Sequence, residues 1–167
     1  MIFLTVGTQF PFDRLVRAVD EAAGRNGFDE QIFAQVGDGS YRPKHFEAVP
    51  SLAKEIFDER LCAADSIISH AGIGTITMAL EHKKPLLVMP RLARYDDVVN
   101  DHQLALAEKF EQLGHLLLAR CPEEVADKLE QLKSFVPMAR KPQPEAAAGR
   151  ISGFLSELHE SRTRSKR

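Results

Sequence analysis

Short apolar runs alternate along this chain with longer segments in which apolar residues recur at helical spacing. The apolar runs are predicted strands, at residues 2–6, 32–36, 46–49, 66–69, 86–89 and 115–119. The periodic segments are predicted helices, at residues 12–24, 51–61, 75–84, 101–113, 122–135 and 146–158. Apolar runs of this length are typical of strands that are buried on both faces of a parallel sheet.

The alternation of strands and helices in short units predicts an α/β fold, a Rossmann-like parallel sheet with helices on both faces. Right-handed crossovers place every strand-to-helix loop at one edge of such a sheet. Ligands of these folds bind outside the carboxyl ends of the strands, so these loops are the candidates for a functional site. Asp13 and Ser51 are the predicted caps of the first two helices.

Three of the predicted loops carry glycines directly after a strand. Their candidate binding residues are Gly7, Thr8, Gln9, Gln35, Gly37, His70, Gly72, Gly74 and Thr75. Glycine lets the backbone approach a bound group closely, and the N-terminus of a following helix offers unpaired N–H groups to a phosphate. Each loop alone also fits a plain structural turn. Because they share one edge, together they predict a site for an anionic, nucleotide-like ligand.

A fourth polar segment, residues 91–103, follows the fifth predicted strand. Asp101 and Gln103 have the two-point hydrogen-bonding groups that suit sugar hydroxyls. Arg91 or Arg94 would form a fork to the carboxylate of a uronic acid, although a surface position is the simpler interpretation of both arginines. A solvated loop that leads into an acidic helix start explains the same segment without any ligand.

Composition and charge narrow the function classes. A length of 167 residues fits one domain, and a net charge of −2 gives no whole-molecule field that favours nucleic acid. Cys62 and Cys121 lie far apart, which argues against a zinc site or a disulfide framework and for a reducing cytosol. The sequence has no P-loop, no complete GxGxxG motif and no metal-ligand spacing. Its apolar start lacks the features of a signal peptide, and no apolar stretch approaches the ~20 residues that span a bilayer.

A resemblance to a known family rests on residues 5–9 (Thr-Val-Gly-Thr-Gln) and 70–75 (His-Ala-Gly-Ile-Gly-Thr). Further residues fall in register with that family, at 35–37, Pro85 and 101–103. Over about residues 1–118 the chain resembles the C-terminal, donor-binding domain of the glycosyltransferases that include MurG. It is more similar to stand-alone versions of that domain: the small cytosolic subunit of the eukaryotic two-chain UDP-GlcNAc transferase, and bacterial PssE-type subunits of exopolysaccharide assembly. The resemblance implies the C-terminal half of a GT-B fold.

The same resemblance implies a UDP-sugar donor and gives roles to the candidate residues. The diphosphate is expected against residues 7–8 and 72–75, with the uracil near residues 46–51. Asp101 and Gln103 are expected to reach the sugar hydroxyls. Transfer in this family uses no metal and no other cofactor.

One position departs from the family pattern. Many relatives place a glutamate that holds the ribose hydroxyls on the helix after the second glycine loop, where this chain has Met78. Glu81, about one turn further along, is the candidate substitute. His70 is the candidate for catalysis within this chain, although the resemblance places the general base on a partner chain.

A second chain is implied because GT-B enzymes bind the donor in one domain and the acceptor in another. The implied enzyme transfers a hexose, a uronic acid or an N-acetylhexosamine to a lipid-linked acceptor in polysaccharide or glycan synthesis. Its partner is expected to be a membrane-anchored, PssD-like subunit that recruits this cytoplasmic chain to the inner face of the membrane. Residues 1–135 form the predicted donor domain, and residues 161–167 a basic tail. Residues 136–160 are predicted to be a connector and an amphipathic helix that grips the partner or packs on its own domain.

Three other functions fit the sequence. A Rossmann-like oxidoreductase or nucleotide-binding module would use the same glycine turns, although the missing GxGxxG motif and ribose-binding acid argue against a dinucleotide. A non-catalytic regulatory or assembly subunit would keep the same fold. A self-sufficient homodimeric enzyme would need an acceptor site that the sequence does not reveal.

Overall fold

The computed structural model describes residues 1–25, 27–98 and 101–139. Within these residues six parallel strands form one sheet in the order β3-β2-β1-β4-β5-β6. The strands are β1 (Ile2–Thr5), β2 (Ile32–Gln35), β3 (Glu47–Val49), β4 (Ser66–Ser69), β5 (Leu86–Val88) and β6 (Leu117–Leu118). All six lie within the predicted apolar runs, which confirms the parallel sheet.

Helices cover both faces of this sheet. They are α1 (Asp13–Ala23), α2 (Lys54–Ala63), α3 (Ile73–Glu81), α4 (His102–Gln112) and α5 (Val125–Leu132), with 3-10 turns at Ala93–Tyr95 and Pro122–Glu124. Residues of α1 and α5 belong to the hydrophobic core on one face, and residues of α2, α3 and α4 to the core on the other. The predicted Rossmann-like α/β fold is therefore confirmed.

The two cores explain why β1 is apolar without alternation. Ile2 and Leu4 belong to the core under α1 and α5, whereas Phe3 belongs to the opposite core. Successive residues of a strand face opposite sides of a sheet. Because helices cover both sides, every residue of β1 is buried. Burial of each large apolar side chain contributes about 1.5–3 kcal/mol to stability.

Both predicted helix caps are wrong. The cap position of α2 is held by Ala53, so Ser51 lies outside the helix and makes no capping bond. Asp13 is the first residue of α1, and its carboxylate accepts hydrogen bonds from the N–H groups of Ser40 and Tyr41. This acid therefore holds a loop that is distant in sequence, and a local sequence pattern does not show such a contact.

The order of the strands reverses direction between β1 and β4. The chain runs from β1 to β2 on one side and from β4 to β5 on the other. The loops that leave β1 and β4 therefore diverge and leave a crevice at the carboxyl ends of these two strands. Thr5 and Ser69, the last residues of β1 and β4, are partners across this boundary. Ligands of open α/β sheets bind at such a crevice.

Residues 136–139 pack beside the end of α4. The N–H of Met138 donates to the carbonyl of Gly114, and the carbonyl oxygen of Met138 lies 2.8 Å from Nδ1 of His115. The rest of the predicted connector and amphipathic helix, residues 140–160, and the predicted tail lie outside the described residues. Among the helices that the structure describes, none has the length and apolar character needed to cross a bilayer.

Candidate functional site

A cavity of about 1020 Å³ opens at the carboxyl ends of β1 and β4. One side is formed by residues 7–10 and 70–75, here called the glycine wall, and the other by residues 91–98 and 101–103, here called the polar wall. Its lining includes most of the predicted site residues: Gly7, Thr8, Gln9, His70, Gly72, Gly74, Thr75, Arg91 and Gln103. The fold thus brings together two of the three glycine loops and the segment after β5.

In the glycine wall the imidazole of His70 lies between two glycines. A Cβ atom on Gly7 would lie 2.8 Å from Cε1 of the ring, and one on Gly72 would lie 2.2 Å from Nε2. Gly7 also has a φ of +78°, a conformation that favours glycine. These two glycines therefore make room for His70 itself, besides any approach to a ligand. This packing role is not evident from the sequence, because it depends on where the His70 ring lies.

The N-terminus of α3 forms the open part of the glycine wall. Gly72 caps the helix without a side-chain hydrogen bond, and the first turn carries no acidic residue. A Cβ atom on Gly74 would meet nothing within 4 Å, so the space before the helix is free. Uncapped N–H groups and the positive end of the helix dipole favour an anion at this position.

The environment of His70 keeps its imidazole neutral. Burial and, second to it, the nearby charge of Arg91 lower the pKa of His70 from 6.5 to about 4. The hydroxyl of Ser69 donates to the carbonyl of Thr5 at 2.8 Å and lies 3.2 Å from Nδ1 of His70. Because the single hydroxyl proton is committed to Thr5, the imidazole proton is assigned to Nδ1. Nε2, next to Gly72, is therefore the acceptor.

Arg91 is the central side chain of the polar wall, and it is only 3 % exposed. Its Nη2 donates to the carbonyl oxygens of Val6, at 2.8 Å, and Phe10, at 2.5 Å. Burial lowers the pKa of this guanidinium. The interpretation of Arg91 as a surface residue is therefore wrong, whereas Arg94 is exposed as expected.

The two predicted sugar-binding side chains of the polar wall are hydrogen-bonded to backbone. Oε1 of Gln103 accepts from the N–H of Arg91 at 3.1 Å, and Oδ1 of Asp101 accepts from the N–H of Ala93 at 2.8 Å. Gln103 is 7 % exposed and lines the cavity. Asp101 is exposed and is not among the described lining residues, so the structure does not bring it together with the others.

An ion pair that was not predicted from the sequence holds the polar wall to α1. Nη2 of Arg14 lies 2.5 Å from Oδ2 of Asp97, and the two side chains are 14 % and 13 % exposed. The same carboxylate oxygen accepts from the N–H of Leu92, and Arg14 also donates to the carbonyl of Pro90. The pair joins residues 83 positions apart in the sequence, so no local pattern indicates it.

The third glycine loop borders a separate, smaller cavity of about 150 Å³ on the other side of residues 7–10. Gln35 and Gly37 line it together with Pro50 and Ser51, so it adjoins the segment expected to hold a uracil. Gln35 is 2 % exposed, and its Oε1 accepts from the Thr5 hydroxyl at 2.8 Å. Its carbonyl group therefore supports β1 from within the sheet.

Glu81 lies away from both cavities. It is the last residue of α3, about 10 Å along the helix from Gly74, and it lines a different cavity beside Leu80 and Met138. Met78 packs against the hydrophobic core. The structure therefore does not bring Glu81 into the site, because the site lies at the N-terminal end of α3 and Glu81 at its C-terminal end.

The chain has relatives of known identity. It is 31 % identical to UDP-N-acetylglucosamine transferase subunit ALG13 of Homo sapiens, over 92 % of this chain and 15 % of that protein. The chain thus spans a small part of the human relative. Its fold is similar to the solution structure of ALG13, with a TM-score of 0.59 and 20 % identity over 86 % of this chain and 91 % of that one.

The fold is also similar to that of MurG from Acinetobacter baumannii, with a TM-score of 0.60 and 20 % identity over 78 % of this chain and 40 % of that one. These similarities confirm the resemblance to the C-terminal domain of MurG and to its stand-alone versions. The family described as the glycosyltransferase family 28 C-terminal domain matches residues 1–156. This chain belongs to that glycosyltransferase family.

Proposed function

We propose that this chain is the donor-binding half of a two-chain glycosyltransferase and that it binds a UDP-sugar in the cavity between β1 and β4. The observation that carries the proposal is the uncapped N-terminus of α3, which faces a cavity of about 1020 Å³ at the switch point of the sheet. Anions bind at such helix ends, and nucleotides bind at such switch points. Membership of glycosyltransferase family 28 supports the same assignment.

The diphosphate of the donor would lie between residues 7–8 and residues 72–75. N–H groups and the dipole of α3 would stabilise the negative charge that grows on UDP as the sugar leaves, which is catalysis by preorganised donors. The transfer would need no metal. His70 would respond to the diphosphate: an anion beside Nε2 raises the pKa of an imidazole, so a proton would be drawn onto that atom.

The narrow cavity beside Gln35 and Gly37 is the proposed place for the base of the nucleotide. It shares residues 7–10 with the large cavity, and the proposed donor would extend past this loop from one cavity to the other. Gln103 lines the far side of the large cavity and is the proposed contact for the sugar. Its amide NH₂ group is the part that would donate, because Oε1 already accepts from Arg91.

A membrane-anchored, PssD-like partner would supply the acceptor site and the general base. The human relative is named as a subunit of a UDP-N-acetylglucosamine transferase, which supports both a second chain and an N-acetylhexosamine donor. We propose that the partner recruits this chain from the cytoplasm to the inner face of the membrane. There the complex would glycosylate a lipid-linked acceptor in glycan or exopolysaccharide synthesis.

Calorimetric titration of the chain with UDP, UDP-GlcNAc and NAD tests the proposed donor site. The informative variant is Gly74→Asp, because a side chain fits at this position and a carboxylate at a helix N-terminus does not destabilise the helix. We expect UDP to bind and the aspartate to weaken binding at least about tenfold through charge repulsion.

Gly74→Asn is the matched control, since it adds almost the same volume without the charge. It should change the affinity for UDP much less than Gly74→Asp does. Binding of NAD in preference to UDP would contradict the proposed function. Equal losses in both variants would show that the space before α3, and not its charge, matters to the ligand.

A further inference from the structure

One side chain holds both ends of the loop after β1. Nη2 of Arg91 donates to the carbonyl of Val6, where the strand ends, and to the carbonyl of Phe10, where the loop turns towards α1. Between these two points lie residues 7–9, which line both the large and the small cavity. The direction in which the backbone of this loop faces is therefore determined by a residue of the opposite wall.

Arg91 is itself held firmly in place. Its own N–H donates to Oε1 of Gln103, and its guanidinium lies 5.1 Å from the centre of the Phe12 ring. The next residue, Leu92, donates its N–H to Asp97, which pairs with Arg14 of α1. A residue that is anchored at its backbone N–H and whose guanidinium is held by two carbonyl oxygens and an aromatic ring has few other conformations.

We propose that Arg91 is a positioning residue: it fixes residues 7–10 so that their backbone meets the diphosphate, and it does not bind the transferred sugar. The identity of the ligand in this inference rests on the proposed function. Both bonds come from the two N–H groups of Nη2, whose directions are fixed in the plane of the guanidinium, and a lysine ammonium on a flexible stem does not hold its donors in that geometry. Arg91→Lys therefore separates positioning from charge.

The first test compares Arg91→Lys and Arg91→Met with the wild type in titrations with UDP, UDP-GlcNAc and UDP-glucuronate. We expect both variants to weaken all three ligands by a similar factor, about tenfold, because the loop that meets the shared diphosphate is released. Arg17→Met is the matched control, since it removes an exposed arginine that stacks on Tyr41 away from the cavities. It should leave all three affinities unchanged.

Two results of this titration would overturn the inference. A loss confined to UDP-glucuronate would show that Arg91 binds the carboxylate of a sugar. Full affinity in Arg91→Lys would show that the positive charge is sufficient and that the two hydrogen bonds to Val6 and Phe10 are not needed for binding. Thermal melting of each variant establishes that it is folded at the titration temperature, and the lysine variant retains most of the packing if the methionine variant does not fold.

A second test needs no ligand. In the free protein, amide hydrogen exchange at Val6 and Gly7, whose N–H groups are hydrogen-bonded, should speed up at least about tenfold in Arg91→Lys, because local opening is no longer opposed at the two carbonyls. In Arg91→Met the pKa of His70 measured by NMR should rise, since a nearby positive charge is lost. Unchanged exchange would overturn the inference. If the wild type does not bind UDP, the proposed function fails while this test still decides the role of Arg91.

Discussion

The two walls of the cavity are built in opposite ways. In the glycine wall, side chains are absent at Gly7, Gly72 and Gly74, so the backbone itself and the end of α3 face the cavity. In the polar wall the sequence is rich in side chains that suit a ligand, yet Nη2 of Arg91 and Oε1 of Gln103 are hydrogen-bonded to backbone groups. The glycine wall presents its backbone to the cavity, whereas the side chains of the polar wall hold backbone segments in place.

This contrast shows how a polar residue in a loop should be interpreted. A buried polar group must find a hydrogen-bond partner, and the nearest partners in a loop are the backbone groups that no strand or helix satisfies. Side chains of a loop that lies over a sheet are therefore first engaged in shaping the loop. Among the described residues, only the donor or acceptor atoms without such a bond, such as the NH₂ group of Gln103, are then available to a ligand.

The largest effect is expected where the polar wall is tied to α1. Asp97→Asn should lower the free energy of unfolding by about 3 kcal/mol, because it leaves the charge of the largely buried Arg14 without its partner. Chemical denaturation measures the loss. Asp96→Asn is the control, since Asp96 is exposed and asparagine tolerates its positive φ of 58°. Similar stabilities of the two variants would contradict the structural role of the ion pair.

An intermediate effect is expected in the glycine wall. Gly72→Ala should lower the free energy of unfolding by about 2 kcal/mol, because the new Cβ overlaps Nε2 of His70 and forces the ring to move. The double variant Gly72→Ala with His70→Ala removes the overlap. It should therefore be destabilised by less than the sum of the two single changes, as measured in a double-mutant cycle. Additive losses would show that the glycine serves something other than the imidazole.

The sequence predicts the glycine wall much better than the polar wall, for a physical reason. Apolar runs identify β1 and β4 because both are buried on two faces, and the loops after them must share one edge of a parallel sheet. The positions of the glycines in the fold can therefore be predicted from local apolar patterns and from the rule that these loops share one edge of the sheet. Arg91 contacts Val6 and Phe10 across 85 and 81 positions of the sequence, and such distant partners leave no periodic signal.

Glu81 shows the limit of residue spacing used without geometry. It lies about one helical turn after Met78 in the sequence, which is the basis for predicting it as the ribose-binding acid. A turn along α3, however, moves a residue about 5 Å away from the helix N-terminus, and the site is at that N-terminus. Arg91 shows a similar limit: arginine is usually a surface residue, but the fold buries this one.

The smallest of the expected effects near neutral pH concerns the contact between the walls, where burial and Arg91 hold His70 neutral. The pKa of His70 is about 4 in the folded protein and 6.5 for a free imidazole. Between pH 6.5 and pH 4 the unfolded chain therefore binds a proton at His70 and the folded chain does not. Stability is therefore lost as the pH falls below 6.5. The contribution of this one group should reach about 1.5 kcal/mol between pH 6.5 and pH 5.

Denaturation of the wild type and of His70→Gln from pH 6.5 to below pH 4 isolates that contribution, because the other titrating groups are common to both proteins. The glutamine variant should lose less stability than the wild type on acidification, and the difference should level off below about pH 4, where the folded protein also binds the proton. Parallel stability curves would mean that His70 titrates normally. The imidazole would then be open to solvent, and the close packing of the two walls around it would be wrong.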